Sequence, residues 1–535
     1  MAILDYEARR TNEQTFLGHP RGLFLLFLVE MWERFSYYGM RALLVLYLAS
    51  PLTGMRNPPP GFPAGFNPGR GWTDASASTL YGWYTGLAYL LPIFGGIIAD
   101  KLIGTHRSMI IGGLLIALGH VTLAISGLGD LAHNSMGMSI FVMGLALIVL
   151  GTGHFKPTVS VMVGQLYAPD DPRREGAFSI FYMGINVGAF LCAFVCGTLG
   201  ERVGWHWGFG AAAIGMLAGL ILYTIGRPYY LTGIGEPPAG KPNLAPFFIL
   251  ASILLAAVFA WLFHIEAFAK LGDHMQATAV GKLTVGKLAI IAFSAAVVCL
   301  AIWFVIIQQP EDRGPVIAIF LFMFFNVFFW IAFEQAGSSI NLFTDRFTDR
   351  QLGSWTVPTT WFQSANPLMI ITLAPIFGAT WVALARRRLN PSQPAKIALG
   401  LILLGIGYLF ITWAALATRS GAKASMIFIL ATYLFHTMGE LCLSPTGLSF
   451  VTRVAPVRFV SLLMGIWFIS SFIANLCGGL IAAKVADIES GKIRLPWDFG
   501  GQADFFTLFV VSSLGAGFLV LIFTPLLKRL IAGRE

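Results

Sequence analysis

A small set of ionisable residues sits inside otherwise apolar stretches of the chain. Glu30, Glu33, Arg34 and Arg41 lie close together, and Lys156, Glu334 and Glu440 each stand alone. A charge at bilayer depth costs between about 2.5 and 17 kcal/mol. Such groups must therefore pair, face a water-filled space, or serve a function. At about 100° per residue of helix, Glu30, Glu33, Arg34, Tyr37, Tyr38 and Arg41 share an arc of roughly 140°, with Trp32, Ser36 and Gly39 on the opposite face. The polar arc predicts a helix that lines a cavity or a protein interior; an ion-paired clamp between helices is the plainer alternative.

The charges divide unevenly along the chain. Arg34, Arg41 and Lys156 outnumber Glu30 and Glu33 in the first half, whereas the second half offers Glu334 and Glu440. A cavity between such halves suits a zwitterion, because each buried charge needs a partner to offset its desolvation. A free carboxylate is drawn to Arg41 and Lys156, and an ammonium to Glu440. Asn186 and Asn366 lie in apolar surroundings, where an amide side chain bonds either a ligand's amide groups or a neighbouring helix. Tyr37, Tyr38, Tyr89, Trp330 and Trp467 are candidate walls for the same space, with simple packing as the alternative. His154, near Lys156, reads as a helix-interface residue. No carboxylate pair in a water-facing loop, nucleophile–base arrangement or metal-ligating cluster is apparent, which argues against an enzyme and calls for no metal.

The elements that position these groups follow from composition. The 535 residues are 56% hydrophobic and 11% charged, with mean hydropathy +0.73, far from the soluble norm of about a quarter charged. A net charge of +9 is scattered among loops, with no basic run joined to a soluble fold, which excludes nucleic acid as a partner and makes the lipid bilayer the expected solvent. Cys192, Cys196, Cys299, Cys442 and Cys477 all fall in apolar segments and read as reduced packing residues.

Spans of about 20 apolar residues are predicted at 22–50, 76–101, 107–128, 136–164, 175–199, 205–226, 246–265, 287–308, 315–343, 358–386, 395–416, 424–452, 459–484 and 503–529. The seventh and eighth nearly lack charges and interrupt an arrangement of six helices plus six, the pattern of transporter halves related by pseudo-symmetry. The expected fold is all-α and integral to the membrane: a six-helix bundle over 1–230, a linker with two inserted helices over 231–312, and a second six-helix bundle over 313–535. Basic runs such as Arg9-Arg10, Arg173-Arg174, Arg386-Arg387-Arg388 and Lys528-Arg529 place roughly 19 basic residues on one side against about 13 on the other. Both termini are expected in the cytoplasm. The polar segment before Gly22 lacks a signal-peptide core, so the first helix is expected to be retained. The Pro- and Gly-rich stretch 51–72 reads as a structureless external connection.

Several segments resemble the proton-dependent oligopeptide transporters of the major facilitator superfamily, over nearly the whole chain. Glu30-Met31-Trp32-Glu33-Arg34-Phe35-Ser36-Tyr37-Tyr38-Gly39 is similar to the family's E-x-x-E-R-F-x-Y-Y-G signature, and Phe181-Tyr182-Met183-Gly184-Ile185-Asn186-Val187-Gly188 to F-Y-x-x-I-N-x-G. Gly151-Thr152-Gly153-His154-Phe155-Lys156-Pro157, Phe329-Trp330 with Glu334-Gln335, Phe362-Gln363-Ser364-Ala365-Asn366-Pro367 and Gly439-Glu440-Leu441-Cys442-Leu443-Ser444-Pro445 extend the likeness. Gly95 through Gly104, with Asp100 and Lys101, resembles the superfamily's loop motif between helices two and three.

The resemblance implies a symporter that takes up di- and tripeptides across a bacterial inner membrane by alternating access. It needs no cofactor beyond protons as the coupling ion, and works as a monomer. It implies that Arg41 and Lys156 hold the peptide carboxylate and that Asn186, Asn366 and Glu440 hold the amino end. Glu30, Glu33, Arg34 and Lys156 form the proton-coupled cluster on this reading. Glu334 pairs Arg41 when the outer gate closes, Asp100 and Lys101 fasten the inner gate, and Tyr37, Tyr38, Tyr89, Trp330 and Trp467 line side-chain pockets. Phe333, where some relatives carry a second glutamate, and Thr158, where an asparagine is common, depart from the pattern. Relatives that carry nitrate or modified amino acids are the main alternative, which Glu440 disfavours by repelling an anion.

Overall fold

The computed structural model describes residues 15–53, 67–168, 170–238, 240, 242–280 and 283–531. Arg9-Arg10, most of the proline-rich connection, and both chain ends lie outside the described residues. Fourteen long helices dominate the rest. They are α1 (Arg21–Ala49), α2 (Asp74–Ile98), α3 (Gly104–Ile125), α4 (Ser135–Gln165), α5 (Arg174–Cys192), α6 (Trp205–Tyr230), α7 (Ala245–His264), α8 (Val285–Ile306), α9 (Pro310–Phe333), α10 (Ala365–Arg386), α11 (Gln393–Ala417), α12 (Met426–Val454), α13 (Val460–Ala482) and α14 (Gln502–Ile531).

Local sequence sets many of their ends. Thr73, Asn134, Thr284 and Ser425 cap α2, α4, α8 and α12 by accepting a bond from a first-turn amide, and prolines open α7, α9 and α11 where the missing N–H is no loss. Arg386, Arg453, Lys528 and Arg529 close α10, α12 and α14, where a cation complements the helix dipole.

Twelve runs among the described residues are long and apolar enough to cross a membrane. One of these, Asp74–Ile125, holds both α2 and α3, and α1 is absent from the twelve because its charges break the apolar window. Treating α2 and α3 separately and adding α1 restores the fourteen crossings read from the sequence. In place of the expected loop between α2 and α3, a wide π turn over Ala99–Ile103 carries the chain into Gly104 at φ 80°. A Cβ at Gly104 would also lie 2.7 Å from Pro237. The expected span 315–343 breaks at Glu334 into a 3-10 turn (Glu334–Gly337) and a short helix (Ser339–Phe347). The span at 358–386 opens with a 3-10 segment, Thr359–Ser364.

Within the first six helices, α1 packs on α5 and α6, α4 on α2 and α3, and α3 on α6. Within the last six, α11 packs on α12 and α14, and α9 on α12, α13 and α14. Their interiors form separate apolar clusters, one built around Phe329, Tyr408 and Phe509 and others around Tyr47, Phe141 and Tyr223. The two sets meet where α2 lies on α13 and α5 on α10. Of the inserted pair, α7 packs on α3 and α4, whereas α8 buries only Phe304. Cys299 on α8 is exposed, and no disulfide joins any of the five cysteines.

Candidate functional site

The expected polar face of α1 is present. Trp32 packs edge-on against Phe35 and beside Gly215 and Gly219 of α6, and Gly39 lies against Cys196, so the opposite face contacts neighbouring helices. Arg34 Nε donates to Glu30 Oε1 at 2.8 Å. Glu33 Oε2 is equally close to that nitrogen, but off the direction of its N–H, and neither Glu33 oxygen makes a hydrogen bond. Two turns further on, Arg41 donates from Nε to Tyr81 Oη at 2.5 Å and is ion-paired with Glu334 across the junction of the two halves.

Lys156 does not join the Glu30–Arg34 cluster. Its ammonium stands 3.5 Å from the centroid of the Tyr89 ring, and among the described residues no carboxylate pairs with it. The backbone explains its placement. Pro157 has no N–H to give the carbonyl of Gly153, and α2 closes on that carbonyl at Gly95, where a Cβ would come within 2.0 Å of Gly153 O. Only glycine permits α2, with Tyr89 on it, to lie this close to the lysine. His154 faces the other way, with Nδ1 3.1 Å from Ser108 Oγ and its ring against Phe248 of α7, as expected of an interface residue.

These groups surround a cavity of about 1010 Å³ between the two helix sets. From the first half it is lined by Glu30, Arg34, Tyr38, Arg41, Tyr89, Lys156 and Asn186, and from the second by Trp330, Glu334, Asn366 and Glu440. Asn366 Nδ2 bridges Glu440 Oε2 at 2.9 Å and Thr437 Oγ1 at 3.0 Å, which fixes the carboxylate at the cavity wall. Asn186 donates to the carbonyl of Tyr182 on its own helix, so its amide oxygen remains for a ligand. The side chain of Pro445 lies outside the described residues.

Two further expectations need correction, those for Tyr37 and Trp467. Tyr37 is buried, stacked on Tyr84 and edge-on to Tyr38, and does not line the cavity. Glu33 is sealed behind Arg34, fully buried. Trp467 lines a separate side pocket of about 230 Å³ that shares Tyr89 and Trp330 with the main cavity. Asp100 lies at the cavity's mouth but Lys101 does not line it, and neither makes an ion pair among the described residues.

The cavity opens towards the side where α2 ends and α13 begins, lined there by Gly96, Asp100, Ser160, Val460 and Leu462. The other side is shut by contacts that sequence reasoning missed. Asp74 pairs with Arg346. Glu201 accepts bonds from the amides of Thr359 and Thr360, both at 2.8 Å, and from Thr360 Oγ1 at 2.7 Å, with Arg350 at 3.9 Å. Asn341 Nδ2 donates to the carbonyl of Ala42, and Trp361 Nε1 to Thr198 Oγ1. A Cβ on Gly82 would lie 2.9 Å from Gly479 Cα, so α2 and α13 touch backbone to backbone. The available signal was weak: Asp74 and Glu201 each stand at the end of an apolar run, with Arg346 and Arg350 far along the chain.

Chemically, the arrangement offers an ammonium with no carboxylate partner among the described residues and a hydrogen-bonded carboxylate on opposite walls of one space, with two further ion pairs in reach. Comparison with known proteins points the same way. The chain is 37% identical over 479 residues to the peptide transporter YePEPT of Yersinia enterocolitica subsp. palearctica serotype O:3 (strain YE-P4), covering 88% of this chain and 89% of that one. It is 34% identical over 529 residues to a di-/tripeptide transporter of Lactococcus lactis subsp. cremoris, covering 97% and 98%. The fold superposes on a crystal structure of peptide transporter POT in complex with sulfate with a TM-score of 0.77 at 33% identity, covering 97% of each chain. Such relatives are transporters, not enzymes. Residues 106–496 match the POT family (PTR2), and the chain belongs to that family.

Proposed function

We propose that this protein imports di- and tripeptides in symport with protons, by rocking its halves, 1–230 and 313–535, around the central cavity. The observation that carries this reading is the zwitterionic pair of walls: Lys156, free of any carboxylate partner among the described residues, faces the same cavity as Glu440, held by Asn366. A peptide's α-carboxylate satisfies the first and its α-ammonium the second, while its amide groups find Asn186. Glu440 favours an ammonium over a simple anion such as nitrate.

Coupling is competition for partners. Arg34 is held between Glu30 and Glu33, and Arg41 by Glu334. Protonation of Glu30 or Glu33 weakens the hold on Arg34 and shifts positive charge towards the cavity, where it attracts the substrate carboxylate. Deprotonation restores the internal pair and releases the peptide. No cofactor is required. One proton moving down about 100 mV contributes about 2.3 kcal/mol, and one pH unit about 1.4 kcal/mol. Together they support several-hundred-fold accumulation of a neutral dipeptide per proton.

The basic-loop side, to which the cavity opens, is assigned to the cytoplasm, which puts both termini there and the protein in the cytoplasmic membrane. The cavity lining comes from one chain, which supports function as a monomer; no described residue of the 231–312 insertion lines it. The test is uptake of di- and tripeptides by the purified protein in liposomes under an imposed acid-outside gradient. Accumulation abolished by a protonophore is expected. Gradient-independent uptake, or none of any peptide, overturns the reading.

A further inference from the structure

The 231–312 insertion begins and ends at the two lips of the cavity's mouth. On the first-half lip, the chain leaving α6 lies against the start of α3, directly after the π turn that carries Asp100. There the carbonyl of Gly235 accepts from the amide of His106 at 2.9 Å, the amide of Gly235 donates to Gln165 Oε1 at 3.1 Å, and Pro237 packs against Gly104. From this point α7 runs along α3 and α4 to the far side. It is held by Phe248 on the His154 ring and, at its other end, by His264, whose Nδ1 is 3.0 Å from Ser139 Oγ. The whole of α7 is thus fastened to the first half.

The second inserted helix is fastened differently. At the foot of α8, Phe304 packs edge-on against Phe320 of α9 and against Phe459, the residue before α13, with ring centroids 6.1 and 5.2 Å apart. Next to it Arg458 donates to Gln308 Oε1 at 3.3 Å. Arg458 and Phe459 lead into the second-half lip, where Val460 and Leu462 line the mouth. Beyond the foot, every residue from 289 to 300 is exposed, so about three turns of helix stand clear of the other described residues. In hydrocarbon this costs little, because a helix satisfies its own backbone bonds and lipid tails are as apolar as its side chains. An elbow joins the two helices on the far side. Glu266 turns the chain out of α7 at φ 58°, and a short helix (Ala267–Ala277) and the pairing of Ala279–Val280 with Leu283–Thr284 lead into α8.

We propose that the insertion is a strap across the mouth: α7 moves with the first half, the foot of α8 moves with the second, and the strap limits how wide the mouth opens. The inference rests on the rocking of the two halves proposed above. As the mouth closes, α8 swings about the elbow. Hinges of this kind need a few residues at the ends of elements, and a rod held at its two ends turns without breaking packing along its length.

The test is pulsed electron paramagnetic resonance between spin labels on exposed inner ends of helices, in a background of Cys299→Ser and Cys477→Ser. Tyr229→Cys on α6 and Leu526→Cys on α14 report the mouth, and Phe247→Cys on α7 and Ile306→Cys on α8 report the strap; all four side chains are exposed. Adding Ala-Ala at acid pH, or Glu201→Gln, should shorten the Tyr229–Leu526 and Phe247–Ile306 distances together, while Phe247–Tyr229 and Ile306–Leu526 stay as they are. Releasing the foot with Phe304→Ala and Gln308→Ala together should broaden the Ile306–Leu526 distribution and shift the resting Tyr229–Leu526 distance to longer values. A Phe247–Ile306 distance that holds while Tyr229–Leu526 shortens makes the insertion a single body and overturns the strap. So does a double variant that leaves either the foot or the mouth where it was. If Tyr229–Leu526 shortens under neither condition, the rocking reading fails and takes the strap with it.

Discussion

Replacing Glu201 by Gln should unlatch the closed side of the molecule. Glu201 Oε1 accepts from both the amide and the hydroxyl of Thr360, and Oε2 accepts from the amide of Thr359. In Glu201→Gln one of those oxygens becomes an NH2, which sets a donor against a donor. The bonds left to the other oxygen lose their charge assistance, as does the attraction to Arg350. Hydrogen bonds to charged groups contribute about 1.5–3 kcal/mol each. Loss of the equivalent of one such bond shifts the balance towards opening on that side by about 10- to 150-fold.

Leu342, 7% exposed, reports on the opening because it belongs to the second half yet is buried among core residues of the first. With Leu342→Cys in a background of Cys299→Ser and Cys477→Ser, labelling by a membrane-impermeant thiol reagent on purified protein measures the open fraction. The rate should rise by about 10-fold or more when Glu201→Gln is added, until opening saturates. An unchanged rate would refute the assignment of Glu201 as a latch.

Lys156→Ala should raise KM for peptides with a free carboxylate by about 10- to 150-fold, the worth of one charged hydrogen bond; peptides with an amidated C-terminus should be far less affected, so uptake kinetics on paired peptides decide the point. Glu33→Gln should abolish acid-driven accumulation while counterflow exchange remains measurable, and intact accumulation would remove Glu33 from the coupling step. Gly82→Leu should wedge α2 from α13, because even a Cβ there lies 2.9 Å from Gly479 Cα. Overpacking of this kind costs about 1–3 kcal/mol, so the Leu342→Cys labelling rate should rise here too, while Gly82→Ala has a smaller effect.

The helix that carries the most charge was the most legible. A single arc on α1 placed Glu30, Arg34, Tyr38 and Arg41 in one space, because helical periodicity fixes direction. It does not fix depth. Tyr37 points along the same arc but meets Tyr84 of α2 before it reaches the cavity, and Glu33 at the arc's edge is covered by Arg34. Trp467 was assigned to the right neighbourhood and the wrong chamber, since Trp330 on the facing helix stands between the two spaces. The latch was barely legible. Glu201 and Thr359 are 158 residues apart, and Asp74 and Arg346 are 272 apart. No periodicity links such pairs; only the docking of α2 on α13 and α5 on α10 brings them together.

On the transport reading, the latch on one side bears on what must happen on the other. Alternating access needs the two closed arrangements to differ by only a few kcal/mol, or one of them would never be populated. The side shut here is held by Asp74–Arg346, by Glu201 on two threonine amides and by the Gly82–Gly479 contact. The mouth of the cavity must acquire contacts of comparable strength when it closes in turn. Asp100 and Lys101 sit on the π turn beside that mouth, exposed and without an ion pair among the described residues. They are thus free to bond across it. A peptide bound between Lys156 and Glu440 attaches to both halves at once and favours whichever arrangement brings those walls together. Substrate and gate charges therefore act on one equilibrium, and a change in either should appear as a change in the apparent affinity of the other.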